Sequence, residues 1–437
     1  MIWERFSRGV RPENFMPNSV VARLKWRLQR EYYTLRYYGN RSREYSIALP
    51  EGYGHKRVVV RISVPKIPEH PHFAFADHVM DGAGNPTRTV LATALGGFAI
   101  SPDLAESWRF IPVRGLEDHA FIHVYSLGNS EYLAQVKPAH LRSDRTTPVD
   151  LLVVDQRGQV LAETLAQGPR WHSCRAVHMA NGTLMYAEYP RNKENKISPS
   201  RVLRSRDRGR SWQVVFEQSP EQVRHFHFLQ PRPGSVGEWW LTSGDAAHQS
   251  KILVTQDDGD TWQDITANSS LMMEGTTYPR SIFRLTDLVW NESEVIWGTD
   301  DVLAALGAEA GARVFRSQVG SPLVPQLVGR TKSPIRSMVD LGTFLIVLTQ
   351  ASNQPATAWG KIKPGVFLIS KDGASAAPEL VHLFDVENFD PRPGAGKGFT
   401  YSMASRVALD GTFFTYRAPH QALPLPGHIL KWAVSFD

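Results

Sequence analysis

From about residue 56 onward, hydrophobic residues fall into short runs broken by Gly, Asp, Asn and Pro. The runs include "RVVVRISV", "TRTVLATA", "AFIHVYSL", "LLVVD", "EWWLTS", "EVIWGT", "TFLIVLTQ" and "ILKWAVSF". β-Branched and aromatic residues dominate them, the composition of strands on a pleated, buried surface. No helical period appears after residue 40, so an all-β body is expected. The start differs: in "NSVVARLKWRLQREYYTLRYYGN" an Asn18 or Ser19 cap, apolar residues near helical spacing and a Gly39 stop predict an amphipathic helix.

One polar pattern recurs between the strands. "SRDRGRSW" (205–212) returns as "TQDDGDTW" (255–262). A hairpin turn explains the spacing: the Asp accepts backbone N–H groups, Gly supplies a positive φ, the hydroxyl residues close local hydrogen bonds and Trp packs on a neighbour. These stretches resemble the Asp-box, or BNR repeat, of the sialidase-like β-propellers. "SPDLAESW" (101–108), with Ala105 where Gly belongs, and "SKDGAS" from Ser370 are weaker copies.

The starts at 101, 205, 255 and 370 are two, one and two repeats apart at roughly 50–57 residues each, so missing turns belong near 153 and 315. A further unit after 385 lacks an outermost strand, and "KRVVVRISVP" (56–65) has no partner in its own unit. The chain is therefore read as a seven-bladed β-propeller closed by an N-terminal strand, with six blades as the alternative and 118–166 the weakest unit. Its organisation is a basic extension over 1–45 and one propeller over 46–437.

With the repeated turns between third and fourth strands, the loops leaving second strands and those entering blades share the opposite face. There lie Arg175, Arg191, Arg224, Arg280, Arg284, Arg336, Tyr401 and Arg417, expected to grip a substrate through planar forks of donors suited to carboxylate or sulfate. Arg406 comes from the same set of loops. Glu188, Tyr189, Asp245 and Asp300 occupy equivalent places in neighbouring blades, the arrangement that acid and base catalysis of glycosidic cleavage needs. His225 is a further catalytic candidate: with His227 at i+2 on the same strand face, and with His172, His178 or His248, it is placed to bind a metal or to serve as a base in a lyase-like elimination. No metal site is assigned and no cofactor follows from the sequence.

Composition narrows the setting. No apolar run reaches the length of a membrane span. Cys174 stands alone, which excludes an intrachain disulfide, and "MIWERFSRGV" lacks the apolar core of a secretory signal, so a cytoplasmic location is expected. Residues 1–45 hold ten Lys or Arg against four Glu, which equals the net +6 of the whole chain. The helix over 18–38 is accordingly expected to pack as an extension, or to meet an anionic membrane surface such as that of the inner membrane or an acidic partner. No nucleic-acid module accompanies the charge, and no nucleic-acid partner is expected.

Asp-box propellers include sialidases, other glycosidases and non-catalytic members such as sortilin-like receptors and a photosystem II assembly factor. The Arg-Ile-Pro signature of sialidases is absent; "RISVPKIP" (61–68) is a distant echo. The resemblance implies a carbohydrate-active or carbohydrate-binding propeller for an acidic oligosaccharide or polysaccharide, hydrolase-like or lyase-like if an enzyme, or serving polysaccharide biosynthesis. The alternative is a non-catalytic scaffold for a protein partner.

Overall fold

Nearly every apolar run pairs with the next in an antiparallel ladder. The computed structural model describes residues 42–437 apart from 52, 64, 66–75, 82–85, 140–148, 165–176, 191–198, 274, 302, 304–305, 307–309, 350–364, 372–379, 386–399, 402–405, 409 and 419–427. Among the described residues six four-stranded sheets and one five-stranded sheet follow one another as blades, so the seven-bladed count holds and six is excluded. The stretch 118–166 is a full blade of its own: His119–Gly128, Glu131–Pro138, Asp150–Asp155 and Val160–Thr164.

Packing explains why the strands read as continuous apolar runs. Among the described residues there are seven hydrophobic clusters, each shared by two consecutive blades, including blade seven with blade one. A middle strand is therefore covered on both faces. Trp239–Ser243 and Phe344–Thr349 are buried at every position, whereas the outermost strand Gln213–Gln218 is half-buried or exposed.

The repeated turns join third strands to fourth strands, and three of them share one hydrogen-bond pattern. In blade four, Thr255 Oγ1 donates to Asp257 (2.6 Å), Gly259 N donates to Thr255 Oγ1 (2.9 Å), and Thr261 gives its N–H and hydroxyl to the two Asp257 oxygens (2.8 and 2.6 Å). Ser205, Asp207, Gly209 and Ser211 repeat the set in blade three, and Ser101, Asp103, Ala105 and Ser107 repeat it in blade one. Ala105 adopts φ +71°, the conformation Gly209 and Gly259 take at +84° and +93°. Hairpins of the third and fourth strands also occupy the two places near 153 and 315. Of the weak copy from 370, only Ser370 and Lys371 lie within the described residues.

Closure follows the expected route. Arg57–Ser63 pairs along the C-terminal strand His428–Phe436, with Val58, Val60 and Ile62 turned into the cluster shared with blade six. Ser42–Ala48 then pairs with Arg57–Ser63 as a fifth strand, so the boundary placed at residue 45 falls inside a strand. The helix expected over 18–38 lies outside the described residues. No helix of the described residues is long and apolar enough to cross a membrane.

Candidate functional site

On the face opposite the repeated turns, consecutive blades each deliver polar side chains at the same level. The second strand of blade three, Thr183–Ala187, runs out into Glu188 and Tyr189. In blade four Arg224 and His225 precede the inner strand Phe226–Pro231, and the second strand Trp239–Ser243 leads through Gly244 to Asp245. Gly244 sits at φ +109°, and a Cβ there would lie 2.6 Å from the Gln249–Ser250 backbone, so only glycine turns the chain this tightly. Blade five gives Arg284 before Leu285–Asn291 and Asp300 after Glu294–Thr299; blade six gives Arg336 within Ile335–Asp340.

Residues 225 and 227 need more than alternation to meet. The register of the inner strand slips between Phe226 and Phe228, a bulge that re-aims His227. The two Nε2 atoms lie 2.9 Å apart, and His227 Nδ1 contacts the Leu285 carbonyl of the next blade at 3.2 Å. Tyr189 stacks on His225 with ring centroids 3.7 Å apart. Asp245 Oδ1 faces both imidazoles, 3.6 Å from His225 Nε2 and 3.5 Å from His227 Nε2, while Oδ2 is bonded by Arg224.

A ladder of ion pairs continues from blade four to blade six. Arg284 Nη2 reaches Asp245 (3.4 Å) and Asp300 (3.6 Å), and Arg336 reaches the same Asp300 oxygen (3.5 Å). Arg284 also donates to the Asp245 carbonyl (3.2 Å). Arg284 thus bridges blades four and five and Arg336 bridges blades five and six, while Arg224 pairs within blade four. Arg336, at 31% side-chain exposure against 24% for Arg224 and 26% for Arg284, is the most open.

This environment sets protonation. Burial lowers His225 to about 4, which outweighs the opposite pull of Asp245, so the imidazole is neutral at pH 7. Burial alone would raise Asp245, yet the surrounding imidazoles hold it well below the usual carboxylate range. Burial and then the Asp245 charge raise the Tyr189 phenol. Arg284 stays charged: burial works against it, but Asp300 and Asp245 raise it. Asp245 therefore suits charge stabilisation or ligation rather than proton donation at neutral pH.

Tyr189, His225, Asp245, Asp300, Arg224, Arg284 and Arg336 thus come together. Glu188 does not join them: it is buried at 1% exposure and takes a two-pronged bond from Arg201 of its own blade (2.7 and 2.8 Å). Arg280 turns instead to Thr266 and Asp264. Arg175 and Arg191 lie outside the described residues, as do His172 and Cys174; Tyr401 and Arg417 pair backbone to backbone. Arg406 belongs to a separate set contributed by blades one, two, three and seven. It bonds His178 of blade three and Asp77 of blade one (3.5 Å) and lies over the Tyr125 ring of blade two (5.4 Å). His248 is exposed. Asp77 gave no sequence signal, because one acid in "ADHVM" looks like any strand residue.

No family model matches the chain, and no curated protein matches it. Solved structures match in fold. YCF48 from Cyanidioschyzon merolae superposes with TM-score 0.50 at 10% identity, over 85% of this chain and 98% of that one. An ancestral GH74 enzyme superposes with TM-score 0.50 at 15% identity, over 82% of this chain and 45% of that one. The GH74 enzyme of Niastella koreensis gives 0.47 at 12%, over 82% and 54%. The chain thus spans about half the length of these GH74 enzymes. At such identities the likeness is one of fold.

Proposed function

We propose that the funnel formed by blades three to six binds an acidic oligosaccharide or polysaccharide, and that the basic stretch 18–38 holds the propeller against an anionic membrane surface on the cytoplasmic side. The observation that carries the ligand reading is the run Arg224, Arg284 and Arg336 beside a stacked Tyr189–His225 pair, all partly exposed apart from His225. Planar donor forks suit carboxylate or sulfate groups, and the tyrosine ring suits the apolar face of a sugar. The repeated turns, read as Asp-boxes, are scaffold on the far face.

Among enzyme chemistries the ion pairing disfavours a simple acid–base carboxylate pair, since Asp245 remains charged and Glu188 is held by Arg201. A lyase-like elimination is the other enzyme chemistry to be tested. The same pairing favours a second reading, a non-catalytic propeller whose funnel binds a protein partner.

The test combines mass spectrometry and calorimetry on a panel of acidic oligosaccharides with wild type, Asp300→Asn and Arg336→Ala. Arg336→Ala is expected to weaken binding roughly tenfold or more, the 1.5–3 kcal/mol of a charged hydrogen bond. Products gaining water mark a hydrolase and unsaturated products a lyase; binding without mass change marks a binding module. A panel that neither binds nor changes mass sinks the carbohydrate reading and leaves the scaffold.

A further inference from the structure

The inner strand and second strand of blade four bring three donor atoms of different residues to one point. His225 Nε2, His227 Nε2 and Asp245 Oδ1 stand 2.9, 3.5 and 3.6 Å from one another. The two longer distances exceed a hydrogen bond, so the carboxylate faces both imidazoles at nearly equal range without a good bond to either. Ligand atoms around a tetrahedral ion, at bonds of about 2.0–2.1 Å, lie about 3.3 Å apart, which the three separations bracket.

The contacts of His227 and Asp245 fit the same arrangement. His227 Nδ1 faces the Leu285 carbonyl, which fixes the tautomer with Nδ1–H donating and leaves the Nε2 lone pair directed at the cluster. Arg224 occupies Asp245 Oδ2, so Oδ1 is the oxygen turned to the imidazoles. Both histidines are buried at 2–3% exposure, and Tyr189 covers His225. We propose that His225, His227 and Asp245 bind a late first-row divalent metal ion of the Zn2+ class. Two imidazoles and one carboxylate favour such an ion over Mg2+ or Ca2+, which take oxygen ligands.

Charge gives the site a further property. Around it Arg224, Arg284 and Arg336 are matched by Asp245, Asp300 and Asp301, so the ion adds uncompensated positive charge. An anionic group entering the funnel would complete the ion's coordination. The metal site itself does not rest on the glycan reading, and its test needs no glycan.

The tag-free full chain, stripped with a chelator and dialysed, is titrated with Zn2+ and with Co2+ by calorimetry and visible absorption. The expected result is one equivalent of either ion, d–d bands with Co2+, a higher melting temperature with Zn2+, and no comparable uptake of Mg2+ or Ca2+. Asp245→Asn and His227→Gln, each checked for fold by circular dichroism, should weaken Zn2+ binding about tenfold or more. His382→Ala, an exposed histidine in blade six, should bind like wild type. No saturable uptake by stripped wild type would overturn the proposal, because it leaves His225 Nε2–H simply donating to His227. So would one full equivalent retained by the folded Asp245→Asn or His227→Gln variant, since the ion would then sit elsewhere. Should either variant fail to fold, the other and the wild-type Co2+ spectrum decide.

Discussion

At the scale of single residues, the repeated turns show how one backbone conformation admits two side chains at different cost. Gly209 takes φ +84°, and a Cβ there would meet methyls of Leu133, Leu184 and Val153 at 3.3–3.4 Å. Ala105 takes the same conformation in a cluster in which Ala76, Ala92, Ala94 and Ala99 stand beside larger side chains. A left-handed alanine costs about 1–2 kcal/mol, while one buried methyl returns about 0.8 kcal/mol where it fits. Gly209→Ala is therefore expected to destabilise by about 1–2 kcal/mol and Ala105→Gly to be nearly neutral, as thermal or denaturant unfolding will measure.

The candidate site was partly legible at this scale. Arg224, Asp245, Arg284, Asp300 and Arg336 were readable because loops at one end of the strands must share a face. Glu188 misled for a physical reason: a carboxylate at a strand end pairs as readily with an arginine of the adjacent strand, here Arg201, as with anything in the funnel. Arg280 misled likewise, its partners Thr266 and Asp264 lying in the long connection before blade five. The bulge that brings His227 to His225 leaves no mark in "RHFHF".

At the scale of elements, the turn is a self-contained hydrogen-bonded unit that titrates. Hydroxyl and backbone donors from Thr255 and Thr261 lower Asp257 to about 2 from 3.8, and Asp207 is lowered to about 2 by bonds from Ser211 and Ser205 that outweigh the effect of burial. A carboxylate whose folded value is depressed contributes stability that is complete above about 4 and is lost as pH falls through about 2. Asp257→Asn should lower stability at neutral pH and flatten the loss between pH 4 and pH 2, seen as unfolding midpoints measured across that window. A slope unchanged from wild type would show that the turn adds nothing to acid sensitivity. Because Asp257 is mostly solvent-exposed, the effect is small in absolute terms.

At the scale of the whole molecule, stability depends on the ring being closed. Val58, Val60 and Ile62 seal the cluster between blades six and seven, and Phe344, Trp432 and Phe413 meet them there. Ile62→Ala removes a buried side chain from that seam and is expected to cost about 2–4 kcal/mol, with unfolding still a loss of the whole ring. Loss confined to blade seven, read by hydrogen exchange, would show instead that the blades are independent.

The strands, the turns, their period and the terminal strand that closes the ring could be read from the sequence by itself, while the choice of seven blades over six rested on the sheets. The former follow from local pattern and repetition: residues alternating or buried in runs, and a turn whose Asp, Gly and hydroxyl hydrogen bonds are made within one short segment. Tertiary structure alone decided which loop residues meet. That Asp245 faces two imidazoles, that Arg284 is shared by Asp245 and Asp300, and that Asp77 reaches Arg406 from the far end of the chain all depend on strand register, one bulge and the closure of the ring. Such contacts join residues from different blades, and their geometry exists only once the blades have packed.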